Sequence, residues 1–222
     1  SYAKRGPSWA ILPLLQEALG LTTGDRRYIY LSDGGHFDNL GLYEMVRRRC
    51  RFILVVDAGC DPQMSFEDLG SALRKIAVDL DVSIKFHGLE AIRKRDVNSA
   101  TTATAAFYHA VGEIDYRSTD GATKNGVVVY IKPAYYGIEG AAIRAYAVGN
   151  GEFPHQSTLD QWFSESQFES YRSLGFEIME HILGLVTASS GGVKAAKLAD
   201  IFAVLLEERT AAPQAPRFDS SH

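Results

Sequence analysis

The stretch from Tyr28 to Asp57, YIYLSDGGHFDNLGLYEMVRRRCRFILVVD, constrains the fold more than any other part of this chain. Tyr28-Ile29-Tyr30-Leu31 is aromatic and β-branched, as strands are. It breaks at Asp33-Gly34-Gly35, where two glycines permit a tight turn. Apolar residues at helical spacing follow from about Asn39 to Arg48, and Phe52 to Val56 is a second strand. Two strands joined through a helix predict a parallel pair with a right-handed crossover. Open α/β sheets place their chemistry outside the carboxyl ends of strands. Asp33, at the end of the first strand, is therefore the leading candidate site residue.

Further along, Asp57-Ala58-Gly59-Cys60-Asp61-Pro62 reads as a loop, and Ser65 opens a helix to about Asp81 with a capping-box spacing to Asp68. Val82–Phe86 is a short strand, and His87 to Thr104 an exposed polar excursion carrying Arg93-Lys94-Arg95. Ala105–Tyr116 and Val127–Lys132 are β-rich runs around two turn signals, Asp120-Gly121 and Asn125-Gly126, which predicts a hairpin at one edge of the sheet. A short helix is expected over Glu139–Ala147. Ser157 is placed to cap a long helix from Thr158 to Leu183, with Trp162, Phe163, Phe168, Tyr171 and Phe176 as an aromatic face bound for the core. Thr187–Gly192 reads as a linker, Val193–Glu208 as a last amphipathic helix, and the tail from Thr210 as disordered. The expected division is 1–185 for the main domain, 186–209 for linker and helix, and 210–222 for the tail.

At 222 residues with 46% apolar and 23% charged side chains, the composition is that of a globular protein. A net charge of -4 argues against a nucleic-acid binder, which carries a basic surface. No apolar run reaches the ~18 residues of a membrane-spanning helix. Cys50 and Cys60 flank a strand that rises about 3.3 Å per residue, too far apart for the ~7 Å limit of a disulfide. Two free thiols suit a reducing, intracellular compartment. The first residues have neither an initiator Met nor a signal-peptide layout, so the chain is expected to begin within a longer protein.

Asp33-Gly34-Gly35 has two readings, a plain turn or a carboxylate at the rim of the sheet with glycines that let a second group approach. Asp33, His36 and Asp38 together would suit a metal-dependent hydrolase, but Asp38 or Asn39 is better read as the cap of the following helix, and no metal or other cofactor is expected. Asp57 and Asp61 read as acids that hold their own loop. A serine hydrolase needs a G-x-S-x-G elbow between strand and helix. The nearest approach, Ala188-Ser189-Ser190-Gly191-Gly192, has Ala in the first glycine position and follows a helical pattern, so it reads as linker. Arg47-Arg48-Arg49 and Arg51 complement a helix C-terminus.

With those residues in view, the chain resembles the patatin-like phospholipases, in a bacterial branch similar to the catalytic module of cytosolic phospholipase A2. The resemblance is carried by Leu31-Ser32-Asp33-Gly34-Gly35-His36-Phe37-Asp38-Asn39-Leu40-Gly41-Leu42-Tyr43-Glu44, then Arg49-Cys50-Arg51 and Asp57-Ala58-Gly59. It continues in Phe153-Pro154-His155-Gln156-Ser157-Thr158 and Gln167-Phe168-Glu169-Ser170-Tyr171-Arg172. It implies a three-layer α/β/α fold around a mostly parallel sheet with extra C-terminal helices. It also implies a Ser–Asp dyad in which Asp33 is the aspartate and Gly34, Gly35, His36 and Asn39 shape the site. The elbow serine and the oxyanion loop of that family lie upstream of the D-G-G motif, and nothing in this sequence matches them. The implied substrate is a phospholipid or other acyl-lipid ester, met at a membrane surface, with no nucleic acid involved. The alternative is a non-catalytic lipid- or protein-binding module on the same scaffold.

Overall fold

The computed structural model describes residues 9, 11–21, 23, 25, 34–95, 107–121, 124–189 and 197–211. The expected strand Tyr28–Leu31, and Asp33 with it, lie outside the described residues, as do 96–106, 190–196 and the tail from 212. The chain forms two compact units, Ser1–Asn39 and Leu40–His222. In the first, α1 spans Ile11–Ala18 and a single 3-10 turn spans Gly34–His36.

The second unit is a mixed α/β domain. Its elements run α2 (Leu42–Arg47), β1 (Phe52–Val56), α3 (Glu67–Leu80), β2 (Ile84–His87), β3 (His109–Ile114), α4 (Tyr116–Asp120), β4 (Gly126–Ile131), α5 (Ala141–Gly149), α6 (Glu165–Ser189) and α7 (Leu198–Ala211). The described sheet has the order β1-β4-β3-β2. β1 is parallel to β4, while β4–β3 and β3–β2 are antiparallel. Two reversals leave β2 pointing the same way as β1, so β1-α3-β2 is a parallel crossover with two strands lying between its ends. The β3–β4 hairpin is thus not at an edge, as its turn signals suggested, but fills the centre of the described sheet. Its residues explain why. β4 is nearly all buried, and Ala110, Val111 and Ile114 of β3 are fully enclosed, which suits strands covered on both faces.

Side chains alternate between faces along a strand, and the β1–β4 register puts Phe52 and Tyr130 on opposite faces. Phe52 packs edge-on against Phe202 of α7 at 5.2 Å, and Tyr130 against Phe66 at the start of α3 at 6.1 Å. Helical segments therefore lie on both faces, although Leu54 and Val56, on the Phe52 face of β1, are 54% and 61% exposed. Gly112 lets the sheet close: a Cβ there would lie 2.7 Å from Val128 Cγ1 and 3.0 Å from the Phe86 ring.

Several local expectations are corrected. α2 begins at Leu42 behind Gly41, whose φ of 65° only glycine adopts readily, and not behind Asp38 or Asn39. α3 starts after Phe66, because Asp61 and not Ser65 organises the turn: its carboxylate accepts from Ser65 N–H (2.8 Å), Ser65 Oγ (2.9 Å) and Phe66 N–H (2.9 Å). The long helix starts at Glu165. Ser157 instead accepts from Leu159 N–H and Asp160 from Trp162 N–H, local turns that compete with helix, and the cap is Ser164, which accepts from Gln167 N–H at 3.1 Å. The buried stripe of α6 is Gln167, Ser170, Leu174, Ile178, Ile182 and Val186, so Phe168 and Phe176 face outward. α6 continues through Thr187–Ser189, expected as linker, and α7 runs through Thr210. The segment 87–104, expected as exposed, is in its described part 88–95 held against the domain: Ile92 is buried and Arg95 donates to the carbonyls of Ala147, Asn150, Gly151 and Phe153.

Candidate functional site

Asp33 lies outside the described residues, so the site begins at its neighbours. Gly34, Gly35 and His36 form the 3-10 turn, closed by Phe37 N–H (3.0 Å) and Asp38 N–H (2.9 Å) donating to the Gly34 carbonyl. A Cβ at Gly34 would meet nothing within 4 Å among the described residues. Gly34, His36 and Asn39 are exposed and Gly35 is half-buried. Among the described residues no group of three or more His, Cys, Asp or Glu could hold a metal ion.

The second unit carries a polar cluster at the carboxyl ends of its parallel pair. Asp57 follows β1 and Lys132 follows β4, and the register Val56↔Ile131 sets them side by side. Lys132 Nζ lies 2.9 Å from Asp57 Oδ2 and 3.5 Å from Asp61 Oδ2. Asp57 Oδ2 also accepts from the Tyr130 hydroxyl at 2.5 Å, and Oδ1 from Gly59 N–H at 3.0 Å. Asp57 and Lys132 are 3% and 1% exposed, so the charges are balanced and hydrogen-bonded where neither could stand alone. Burial, and then the bond to Asp57, push the Tyr130 phenol far above its ordinary range. For Asp61, burial works upward, but the Ser65 and Phe66 donors and the Lys132 charge prevail and hold its carboxyl below the ordinary range.

The loop Asp57–Asp61 is also where two distant parts of the sequence meet. Cys60 Sγ donates to the His155 carbonyl at 2.9 Å, and Asp61 N–H donates to His155 Nδ1 at 3.3 Å. A longer contact of 3.5 Å from Nδ1 to the Gly59 carbonyl needs the opposite tautomer. The shorter contact, with its fixed backbone donor, makes Nδ1 the acceptor and leaves the proton on Nε2. Nε2 is buried with no partner among the described residues. Burial, and then the Lys132 charge, lower the His155 imidazolium. The loop faces a cavity of about 120 Å³ lined by Asp57, Cys60, Asp61, Ser65, Asp68 and Lys132. This arrangement is built to hold the strand ends; both carboxylates are already engaged by fixed donors.

Asp57 and Asp61 are thus the loop-holding acids that their position suggested, while Lys132 and Tyr130 escaped sequence reasoning. Nothing local marks them; only the β1–β4 pairing does. A second buried carboxylate, Glu139, accepts from Tyr108 Oη (3.1 Å) and Tyr136 N–H (2.8 Å) and orders the loop before α5. Ser189 stands in the last turn of α6 and not on a strand-to-helix turn, and Ser190 lies outside the described residues. Cys50 and Cys60 are free thiols. No helix among the described residues is long and apolar enough to cross a membrane. A scan against protein-family models, a search of curated proteins and a search of solved structures each found no match.

Proposed function

We propose that this chain is the C-terminal part of a patatin-like acyl-lipid hydrolase and supplies Asp33 as the base of a Ser–Asp dyad. The observation that carries the proposal is the ordered pair of sequence blocks, Leu31–Glu44 with its D-G-G-H-F-D-N run and then Phe153–Thr158. Two structural features support it. The residues after Asp33 form a tight 3-10 turn, and His155 of the second block touches the Cys60-Asp61 loop that closes β1. The finer fold proposed is the three-layer, mostly parallel arrangement of that family, with the described mixed sheet as one portion of it.

The chemistry follows from acidity. A serine hydroxyl is a weak nucleophile until a neighbour takes its proton. In a dyad the aspartate takes that proton as the hydroxyl oxygen attacks the ester carbonyl. It returns the proton to the leaving alcohol when the acyl-enzyme forms, and water then releases the acyl group by the same steps. A free Asp has a pKa of about 3.9 and is a weak base near neutrality. Burial at a strand end strengthens it and hydrogen bonds to the carboxylate weaken it. Glycines at 34 and 35 carry no side chain to obstruct a serine-bearing turn that approaches Asp33.

The test is expression of the 222 residues alone and in a chain extended upstream through a nucleophile elbow. The proposal predicts hydrolysis of a short-chain ester only by the extended chain, abolished by Asp33→Ala with the fold retained. Turnover by the 222 residues alone, lost in Ser189→Ala or Ser190→Ala, would overturn it. The second reading, a non-catalytic lipid-binding module, draws on the exposed apolar residues of segment 157–168. It predicts no hydrolysis by the extended chain and lipid binding indifferent to Asp33→Asn.

A further inference from the structure

Segment 157–168 joins the His155 region to α6 and displays four large apolar side chains. Leu159 and Trp162 are 92% and 91% exposed, Phe168 63% and Phe163 56%. The backbone beneath them is held by the Ser157, Asp160 and Ser164 turns, so the display is built into the local hydrogen bonding. Behind it lies a cavity of about 230 Å³ whose wall includes Ala58, Thr158, Phe163, Phe168 and Tyr171. The amide beside that wall is already engaged: Gln156 Oε1 accepts from Tyr146 Oη at 3.1 Å and Gln167 Nε2 at 3.3 Å. The cavity therefore offers mainly apolar contact.

We infer that this segment docks onto a lipid surface with uncharged or zwitterionic headgroups, with Leu159, Trp162, Phe163 and Phe168 entering its acyl layer. Two observations select that occupant. Leu159 and Trp162, solvated on nearly every side, protrude singly beside the half-exposed Phe163 and Phe168 of the cavity wall; a protein partner would need a fitted pocket for each of the first two, whereas fluid acyl chains close around any shape. Trp, Phe and Leu are also the residues that sit at the membrane interface. The second observation is charge. Between residues 157 and 168 the only charged side chains are Asp160 and Glu165, with no Lys or Arg. The next cation, Arg172, is engaged by Glu169 at 2.6 and 2.8 Å. An anionic membrane would repel this segment, the reverse of a basic amphipathic element. The choice of a lipid as occupant rests on the acyl-lipid reading above; the geometry and charge do not depend on Asp33.

The test uses the 222-residue chain with Trp9→Phe, which leaves Trp162 as the only indole. Phosphatidylcholine vesicles are expected to shift Trp162 emission to the blue and to co-sediment with the protein. Replacing Leu159, Trp162 and Phe163 together by Ser should weaken co-sedimentation at least about tenfold, since each is a large apolar side chain that the acyl layer would take out of water. Admixed phosphatidylserine should weaken binding further at low salt. All three side chains are exposed, so the variant should keep its melting temperature; Leu159→Ser alone, expected to weaken binding by a smaller factor, is the check. The inference is overturned by absence of binding to phosphatidylcholine, by equal binding of the variant, or by tighter binding to phosphatidylserine. It is equally overturned by self-association that the triple variant abolishes without any vesicle binding. Asp33→Asn should leave vesicle binding unchanged, so failure of the hydrolase reading shows as an extended chain without hydrolysis, or with hydrolysis undiminished by Asp33→Asn, while docking stays intact.

Discussion

Both oxygens of Asp57 are taken by Gly59, Tyr130 and Lys132, and both charged partners are nearly solvent-free. Lys132→Met would leave a buried carboxylate without its counter-charge, a change that costs about 3–5 kcal/mol. Urea unfolding should show that loss, and Asp57→Leu combined with Lys132→Met should regain most of it. His109 makes a pH prediction. Burial first, and then the Arg209 guanidinium against it, lower the imidazolium to about 3. The unfolded chain takes up that proton near pH 6.5 and the folded chain does not. Stability is therefore complete above about pH 6.5 and falls as the pH drops toward 3, by up to about 1.4 kcal/mol per unit. His109→Asn should flatten unfolding free energies measured between pH 6.5 and 4. At this scale the sequence discloses acids at strand ends, such as Asp57 and Asp61, because loops after strands are visible in composition. It does not disclose Lys132, which closes an ordinary-looking VVVYIK run and meets Asp57 only through pairing between strands far apart in the chain.

Elements with a strong apolar period are legible, and those set by competing turns are not. The helices over Glu67–Leu80 and Ala141–Gly149 and the strand Phe52–Val56 lie close to where periodicity puts them. α6 does not, since Ser157 and Asp160 bond their own backbone and delay the helix until Ser164. Ser164→Ala should cost about 1 kcal/mol as a lost cap, and Ser157→Ala within about 0.5 kcal/mol as a surface change; thermal melts of the pair separate the two. The hairpin was legible as a hairpin, but its central place was not, because strand order depends on which faces are covered. Gly112 marks that centre: Gly112→Ala pushes a methyl group against Val128 and Phe86 and should cost about 1–3 kcal/mol by denaturant unfolding.

For the whole molecule, the α/β class was legible from alternating strands and helices, and the mixed sheet of the second unit bears that coarse class out. The balance of parallel and antiparallel pairs was not legible, since a single β-rich hairpin inserted between β1 and β2 changes it. The proposed activity depends on Asp33, which precedes the turn at Gly34–His36 in the first unit. The most direct measurement is ester hydrolysis by a chain extended upstream through a nucleophile elbow, wild type against Asp33→Asn. If Asp33 is the dyad base, turnover should fall by about 10²–10⁴-fold, the worth of a positioned general base, with an unchanged melting temperature. Undiminished turnover by Asp33→Asn would contradict the account.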